Sequence, residues 1–502
     1  MYSFLICIVA LIVGYLLYGA LVEKIFRPEI ARKTPALTKT DGVDYVPMPV
    51  WKVFMIQFLN IAGTGPIFGA IMGAKFGPSC YLWIVLGSIF AGAVHDYFSG
   101  MLSVRHDGVT LPGVVGTYLG SGARVGMLVF SMVLLLLVGT VFVYSPALIL
   151  GDIAPLNDTP RTSIMLWVAI VFGYYIIATL LPIDKLIGKV YPLFAIALLF
   201  MAFALGVCLV IKWPAIPEIW DGLHNWGPQA GMNGQPIFPC LFITVACGAI
   251  SGFHATQSPI MARCITSEKY GRPIFYGAMI AEGLVALVWA AVSSYFFFDG
   301  GMEAVGASSG QAPAVVVCVS KSWLGLFGGI LAILGVVAAP ITSGDTAFRS
   351  ARLVIADFIN FDQKNKLNRL VIAIPIFIVA SLLLWYNIAD EEGFNTIWKY
   401  FGWANQSLAC FILWTATSYL AHRDRRTHQI YHYITLFPAC FMTSVAVTFI
   451  FTDKIGFHLN AAIIPWMGSI VFLGCLFVFN VIRYNRDKRA GLFKESGTRD
   501  RT

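Results

Sequence analysis

The chain has 502 residues, 58% of them hydrophobic and only 12% charged, with a mean hydropathy of +0.77. This composition excludes an ordinary soluble domain and points to a polytopic membrane protein, since each helical crossing needs about 20 mostly apolar residues. The net charge of +8 invites a nucleic-acid partner, but where the charges fall gives a simpler cause.

Thirteen stretches qualify as crossings: 2–22, 51–74, 80–104, 124–150, 161–183, 187–211, 237–262, 273–298, 325–350, 368–388, 396–420, 430–452 and 461–483. The first lacks the basic start and small-residue cleavage site of a signal peptide and reads as a retained helix. Assigning every Lys and Arg to its nearest loop gives 6, 1, 2, 1, 2, 1, 3, 1, 5, 1, 3, 1 and 7, so 28 fall on one side and 6 on the other. Cytoplasmic loops carry the excess of positive charge, which sets the N-terminus outside and the basic tail 484–502 inside. No nucleic-acid partner is expected; the partner is the lipid bilayer.

Polar, glycine-rich stretches interrupt two crossings, NIAGTGP at 60–66 and AISGFHATQSP at 249–259. A lipid-facing helix cannot open its backbone in this way, so such breaks belong in protein or beside a cavity. Without the first helix and the last two, ten crossings remain, and the broken ones are the first and sixth. Five is odd, so the second group of five starts on the opposite side. An inverted repeat of 51–211 and 237–420 follows, the layout of the LeuT-type transporter fold. The expected fold is thus all-α: a core over 51–420, flanked by a peripheral first helix, 1–22, and two peripheral helices within 430–483.

At each break the following half-helix offers free N–H groups suited to a carboxylate. The substrate-binding candidates are Asn60, Gly63, Thr64 and Gly65 in the first break and Ser251, Gly252, His254, Thr256, Gln257 and Ser258 in the second. Trp403, Asn405 and Gln406 in the tenth core helix join them. His254 either binds an anion or proton, or satisfies exposed carbonyls. Pro66 suits the first turn of the outer half-helix. Segment 212–236 is expected as an external loop with interfacial aromatics, and 299–324, which contains APAVVVCVSKSWLG, as a re-entrant or amphipathic external piece too short to span. Segment 111–122 is expected to dip into the cytoplasmic interface.

Of 26 acidic residues only Asp96, Glu282 and Asp345 fall within crossings, where an ionisable group is a functional candidate by default. Glu282 either carries a proton or is a neutral acid bonded to a neighbouring helix. The adjacent His95–Asp96 either relays protons, caps a helix or closes an inner gate. Asp345 and Arg349, four residues apart, suit an ion pair near the inner surface. The ten cysteines show no CxxC or metal spacing and read as buried thiols, so no metal or cofactor is expected. GxxxxGK[ST] and HExxH are absent, which disfavours intrinsic ATP-driven pumping and an intramembrane enzyme.

GAVHDYFSGMLSVRHDG (92–108), CGAISGFHATQSP (247–259), PITSGDTAFRSAR (340–352) and YFGWANQSLA (400–409) resemble the carbon-starvation protein A family along nearly the whole chain. The resemblance implies an inner-membrane secondary transporter related to the amino acid–polyamine–organocation superfamily. It implies peptide uptake or proton-coupled pyruvate uptake during nutrient limitation. Thr342 and Ser343 stand where LeuT-type transporters often bind sodium, and hydroxyl oxygens suit a hard cation; they also suit bonding to their own helix backbone. The expected function is therefore proton symport of pyruvate or short peptides, with sodium as the second coupling ion. A nutrient sensor on the same scaffold and a passive channel are the other readings.

Overall fold

Inside a bilayer the backbone has no water to bond, so long apolar runs must satisfy every N–H and C=O within a helix. The computed structural model of the chain accordingly contains helices and no strand among the residues it describes, which are 1–42, 44–180, 183–230, 234–299, 312–363, 365–390, 393–427 and 429–489. Most of the predicted tail, 490–502, lies outside them. The helices are α1 (Tyr2–Phe26), α2 (Val50–Ile61), α3 (Gly65–Ala74), α4 (Ser79–Arg105), α5 (Leu111–Leu119), α6 (Ser121–Ile153), α7 (Pro160–Leu180) and α8 (Ile183–Lys212). They continue with α9 (Gly252–Ala262), α10 (Gly277–Phe298), α11 (Ala312–Ile359), α12 (Lys366–Ala389), α13 (Gly393–Thr427), α14 (Tyr433–Thr452) and α15 (Ile464–Arg489). A π turn, Ser88–Gly92, is built into α4, and another, Arg272–Tyr276, leads into α10.

Among the described residues nine helices are long and apolar enough to cross a membrane, or ten if the bent pair α2–α3 counts as one span. That set is smaller than the thirteen expected crossings. It omits 237–262, which is fragmented, and 325–350 and 396–420, which lie within α11 and α13. Peripheral helices expose their apolar side chains, Leu16 and Leu17 on α1 and Trp466 and Phe477 on α15, whereas α4 and α10 are buried along most of their length. The cysteines are free and buried or half-buried, as thiols acting as small hydrophobes should be.

Both ends of the bundle are tied by their loops. At one end Thr34 Oγ1 donates to Ile265 C=O (2.6 Å), Met48 N–H to Cys264 C=O (3.1 Å), and Arg105 pairs with Glu268 (3.1 Å). At the other, Ser3 N–H donates to Glu218 Oε2 (2.7 Å), Arg161 to Ile388 C=O (3.2 Å), and Lys399 pairs with Asp453 (3.3 Å). Trp213 and Trp220 stand exposed in the loop after α8. Helix α5 packs on α6 and α13, with Leu111, Val114 and Val115 buried. Helix α11 contains the short arm 312–324, which Gly325 (φ 65°) sets off from the rest; only glycine takes that conformation freely.

The first break is where the sequence puts it. Helix α2 stops at Ile61, α3 starts at Gly65 with Pro66 in its first turn, and the axis bends by 49°. The second break lies earlier than expected. Short helical pieces, Ile237–Leu241 and Phe242–Thr244, give way to non-helical residues 245–251, and α9 resumes at Gly252. Gly252, His254, Thr256, Gln257 and Ser258 are therefore helical and Ser251 is the N-cap. The hydroxyls explain this: Thr256 Oγ1 donates to Phe253 C=O (2.7 Å) and Ser258 Oγ to His254 C=O (2.9 Å), so both bond back onto their own helix.

Candidate functional site

The two breaks touch. A Cβ on Gly65 would fall inside the envelope of Cys247, and one on Gly69 would lie 2.9 Å from Thr244 C=O. Glycine is needed on this face of α3 so that its backbone can approach the unwound segment 244–248. Ser343 Oγ of α11 donates to Leu59 C=O (2.9 Å), anchoring the end of α2. Phe142 of α6 covers the break, since a Cβ on Gly63 would meet its ring at 2.6 Å, and it packs edge-on against Phe253 (5.9 Å).

Polar groups line this junction without satisfying one another. Around the first break the side-chain N and O atoms of Gln57, Asn60 and Thr64 are buried with no hydrogen-bond partner. The same holds for the amide oxygens of Gln257 and Gln406. A buried polar atom left unpaired costs about 1–3 kcal/mol, so this group is the natural place for a polar solute. The N-terminus of α9 is differently placed, because Asn405 of α13 caps it. Its Oδ1 accepts from Phe253 N–H (2.7 Å) and Ser251 Oγ (3.0 Å), while Nδ2 faces Cys247 Sγ (3.5 Å). Of the two half-helix starts, that of α3 is the one without a side-chain cap.

Beneath the breaks four titratable side chains form a line with no solvent exposure. His95 Nδ1 is 2.8 Å from Asp96 Oδ1, His254 Nδ1 is 2.8 Å from Asp96 Oδ2, and His254 Nε2 is 3.3 Å from Glu282 Oε2. An ionised Asp96 only accepts, so each ring carries a proton on Nδ1. The last contact is at ion-pair distance but outside hydrogen-bond geometry, with both Glu282 oxygens and His254 Nε2 unbonded. One proton can therefore reside on Glu282 or on His254 Nε2, the second state making an imidazolium between two carboxylates. The line spans α4, α9 and α10, and Ser99 (Oγ 2.9 Å from Ser258 Oγ) adds a second tie between α4 and α9.

The remaining candidates sit elsewhere. Asp345 and Arg349 form the expected pair at 3.8 Å, and both are buried, with Arg349 also donating to Ala178 C=O (2.9 Å). Thr342 Oγ1 bonds to carbonyls of its own helix, Ala338 (3.0 Å) and Ala339 (2.8 Å); of the Thr342–Ser343 pair, the Ser343 hydroxyl is the one directed to the break. Gln406 reaches the second break, donating to Phe242 C=O (2.9 Å). Trp403 does not line the centre: its indole N–H donates to Ala446 C=O of α14 (3.0 Å) and its ring meets Phe130 (5.7 Å), because position 403 faces the peripheral helices. Gln57 is not among the sequence candidates, although it lies three residues before Asn60 on the same helix and so shares its face of α2. Among the described residues no group of three or more His, Cys, Asp or Glu is arranged to hold a metal ion.

A bundle with two interrupted helices meeting over a buried polar line is the architecture of a membrane transporter, and solved structures share the fold. A manganese transporter of Eremococcus coleocola aligns with TM-score 0.54 at 13% identity, covering 89% of this chain and 99% of the other. A Na+-coupled sialic acid symporter in its substrate-bound outward-open state aligns with TM-score 0.53 at 13% identity, covering 93% and 96%. The chain belongs to the family described as Carbon starvation protein CstA, whose profile matches residues 1–150, 146–324 and 300–449. An uncharacterised membrane protein of Haemophilus influenzae is 47% identical over 338 residues, 59% of this chain and 91% of its own length. The peptide transporter CstA of Campylobacter jejuni is 26% identical over 543 residues, 86% of this chain and 77% of its own. Family and fold together place the chain among multi-pass membrane transporters rather than enzymes.

Proposed function

We propose that this chain is a secondary active transporter that imports a small carboxylate, pyruvate or a short peptide, together with a proton. The observation that carries the reading is the place of His254. It lies on α9, the helix that resumes after the second break, and bridges Asp96 on α4 to Glu282 on α10. Any shift of α9 as a solute settles between the breaks changes the His254–Glu282 separation, and so changes which of the two holds the proton. The substrate carboxylate is assigned to the uncapped start of α3, with Gln57, Asn60 and Thr64 as its neutral partners. Peptide as cargo draws support from relatives named as peptide transporters.

The same reading takes the bundle as thirteen crossings in a five-plus-five inverted repeat, N-terminus outside, in a bacterial cytoplasmic membrane under nutrient limitation. Proteoliposome uptake of labelled pyruvate and dialanine under an imposed pH gradient tests it. Accumulation driven by an acidic exterior is expected, and uptake that only equilibrates would leave a channel. Binding without uptake would leave a sensor. Ser343 gives sodium a specific foothold, since its hydroxyl and Leu59 C=O pair two hard oxygens at the first break (2.9 Å). Accumulation driven by a sodium gradient alone would select that ion.

A further inference from the structure

At the end of the bundle that carries Ile388 and Asp453, a cavity of about 400 Å³ opens between α6, α7, α12 and the start of α13. Tyr144, Arg161, Asn387, Asp390 and Phe394 contribute to its wall. Asn387 is only 2% exposed, yet neither its amide oxygen nor its amide nitrogen has a hydrogen-bond partner. An amide buried in this way awaits a ligand with both a donor and an acceptor. Arg161, which donates to Ile388 C=O (3.2 Å), brings a cation to the same wall, and Asp390 brings a carboxylate. The cavity therefore presents positive charge, negative charge and an open amide within a volume typical of small-molecule sites.

We propose that this cavity is an outer capture site for a zwitterionic solute, a short peptide with its ammonium toward Asp390, its carboxylate toward Arg161 and its amide on Asn387. The site connects to the centre through aromatic rings. Phe394 packs on Trp398 (6.0 Å), Trp398 on Phe68 of α3 (6.0 Å) and on Phe401 (5.3 Å), and Phe401 faces Phe142 over the first break (6.5 Å). This run of rings links the wall of the cavity to the breaks, and Phe68 belongs to α3, the half-helix that follows the first break. The site discriminates between the two substrates above, since pyruvate has no ammonium for Asp390 and no amide for Asn387. The proposal rests on the transport reading for its purpose, but its ligand chemistry stands on the cavity.

The test is direct binding of radiolabelled dialanine to the purified full-length protein, beside proteoliposome uptake of dialanine and pyruvate, for wild type, Arg161→Gln and Asn387→Leu. Wild type is expected to bind dialanine. Each substitution should weaken binding at least tenfold and raise the dialanine KM by a similar factor, with Vmax and the pyruvate KM unchanged. Arg161 is exposed, so its variant tests the site even if Asn387→Leu fails to fold. Dialanine binding that both variants leave unchanged, or no dialanine binding by wild type, overturns the capture site while pyruvate accumulation keeps the transport reading. Loss of all concentrative uptake with dialanine binding still sensitive to Arg161 overturns the transport reading and keeps the site.

Discussion

Asp96→Asn removes one charge and changes no shape, which makes it the sharpest perturbation of the buried line. Asp96 accepts from two imidazoles, each at 2.8 Å, and all three groups are fully buried. Asparagine can keep one of these bonds through its oxygen, but the other ring must move its proton from Nδ1 to Nε2 to accept from the NH2, and both rings lose their charged acceptor. Each hydrogen bond to a charged group contributes about 1.5–3 kcal/mol, and breaking a buried pair by removing one partner costs about 3–5 kcal/mol. The upper part of that range applies here because His254 also faces Glu282 at 3.3 Å and cannot turn its other nitrogen to Asp96 without abandoning that contact. Thermal unfolding of the purified protein in detergent, followed by tryptophan fluorescence, should show a markedly lower midpoint, with proton-driven uptake lost in proteoliposomes. A double-mutant cycle with His254→Gln should give a coupling above about 1 kcal/mol, as contacting buried groups do. An Asp96→Asn protein with wild-type unfolding and wild-type pH-driven uptake would refute the reasoning.

Gly65→Ala should abolish uptake, since the added methyl meets Cys247; overpacking of this kind costs about 1–3 kcal/mol. Cys247→Gly in the same chain should restore it by relieving the contact, and uptake by Gly65→Ala alone would argue against breaks in contact. Ser343→Ala loses the bond to Leu59 C=O, worth about 1 kcal/mol, and should leave proton-driven accumulation in place, whereas a sodium mechanism predicts its loss. Gly344→Ala drives a methyl into the hydroxyl of Tyr175, which bonds Phe142 C=O at 2.8 Å, and should lower the unfolding midpoint.

The sequence makes the breaks visible because Gly, Pro and Asn cluster where a crossing should be continuous. Intramembrane acids are visible because they are rare. The meeting of His95, Asp96, His254 and Glu282 is not visible, because positions 96 and 254 stand 158 residues apart and only packing brings them together. The second break lies earlier than the sequence suggests, since a run of Ser, Thr and Gln looks unwound while the hydroxyls of Thr256 and Ser258 bond to carbonyls of α9 itself. Trp403 reads as a lining residue from its neighbours, but Asn405, two positions on, lies about 200° round the helix, so the two side chains leave on opposite sides. Asn387 carries no signal in the sequence, because a single Asn near a helix end is ordinary and only its burial sets it apart.

The proton's role is decided by a pH-sensitive dye sealed inside proteoliposomes, read as pyruvate or dialanine is added outside at equal internal and external pH. The account predicts that solute entry acidifies the lumen, and that Glu282→Gln abolishes this acidification because its amide cannot exchange a proton with His254 Nε2. Accumulation of either solute by the wild-type protein with no change in lumenal pH, or undiminished acidification by Glu282→Gln, would contradict it.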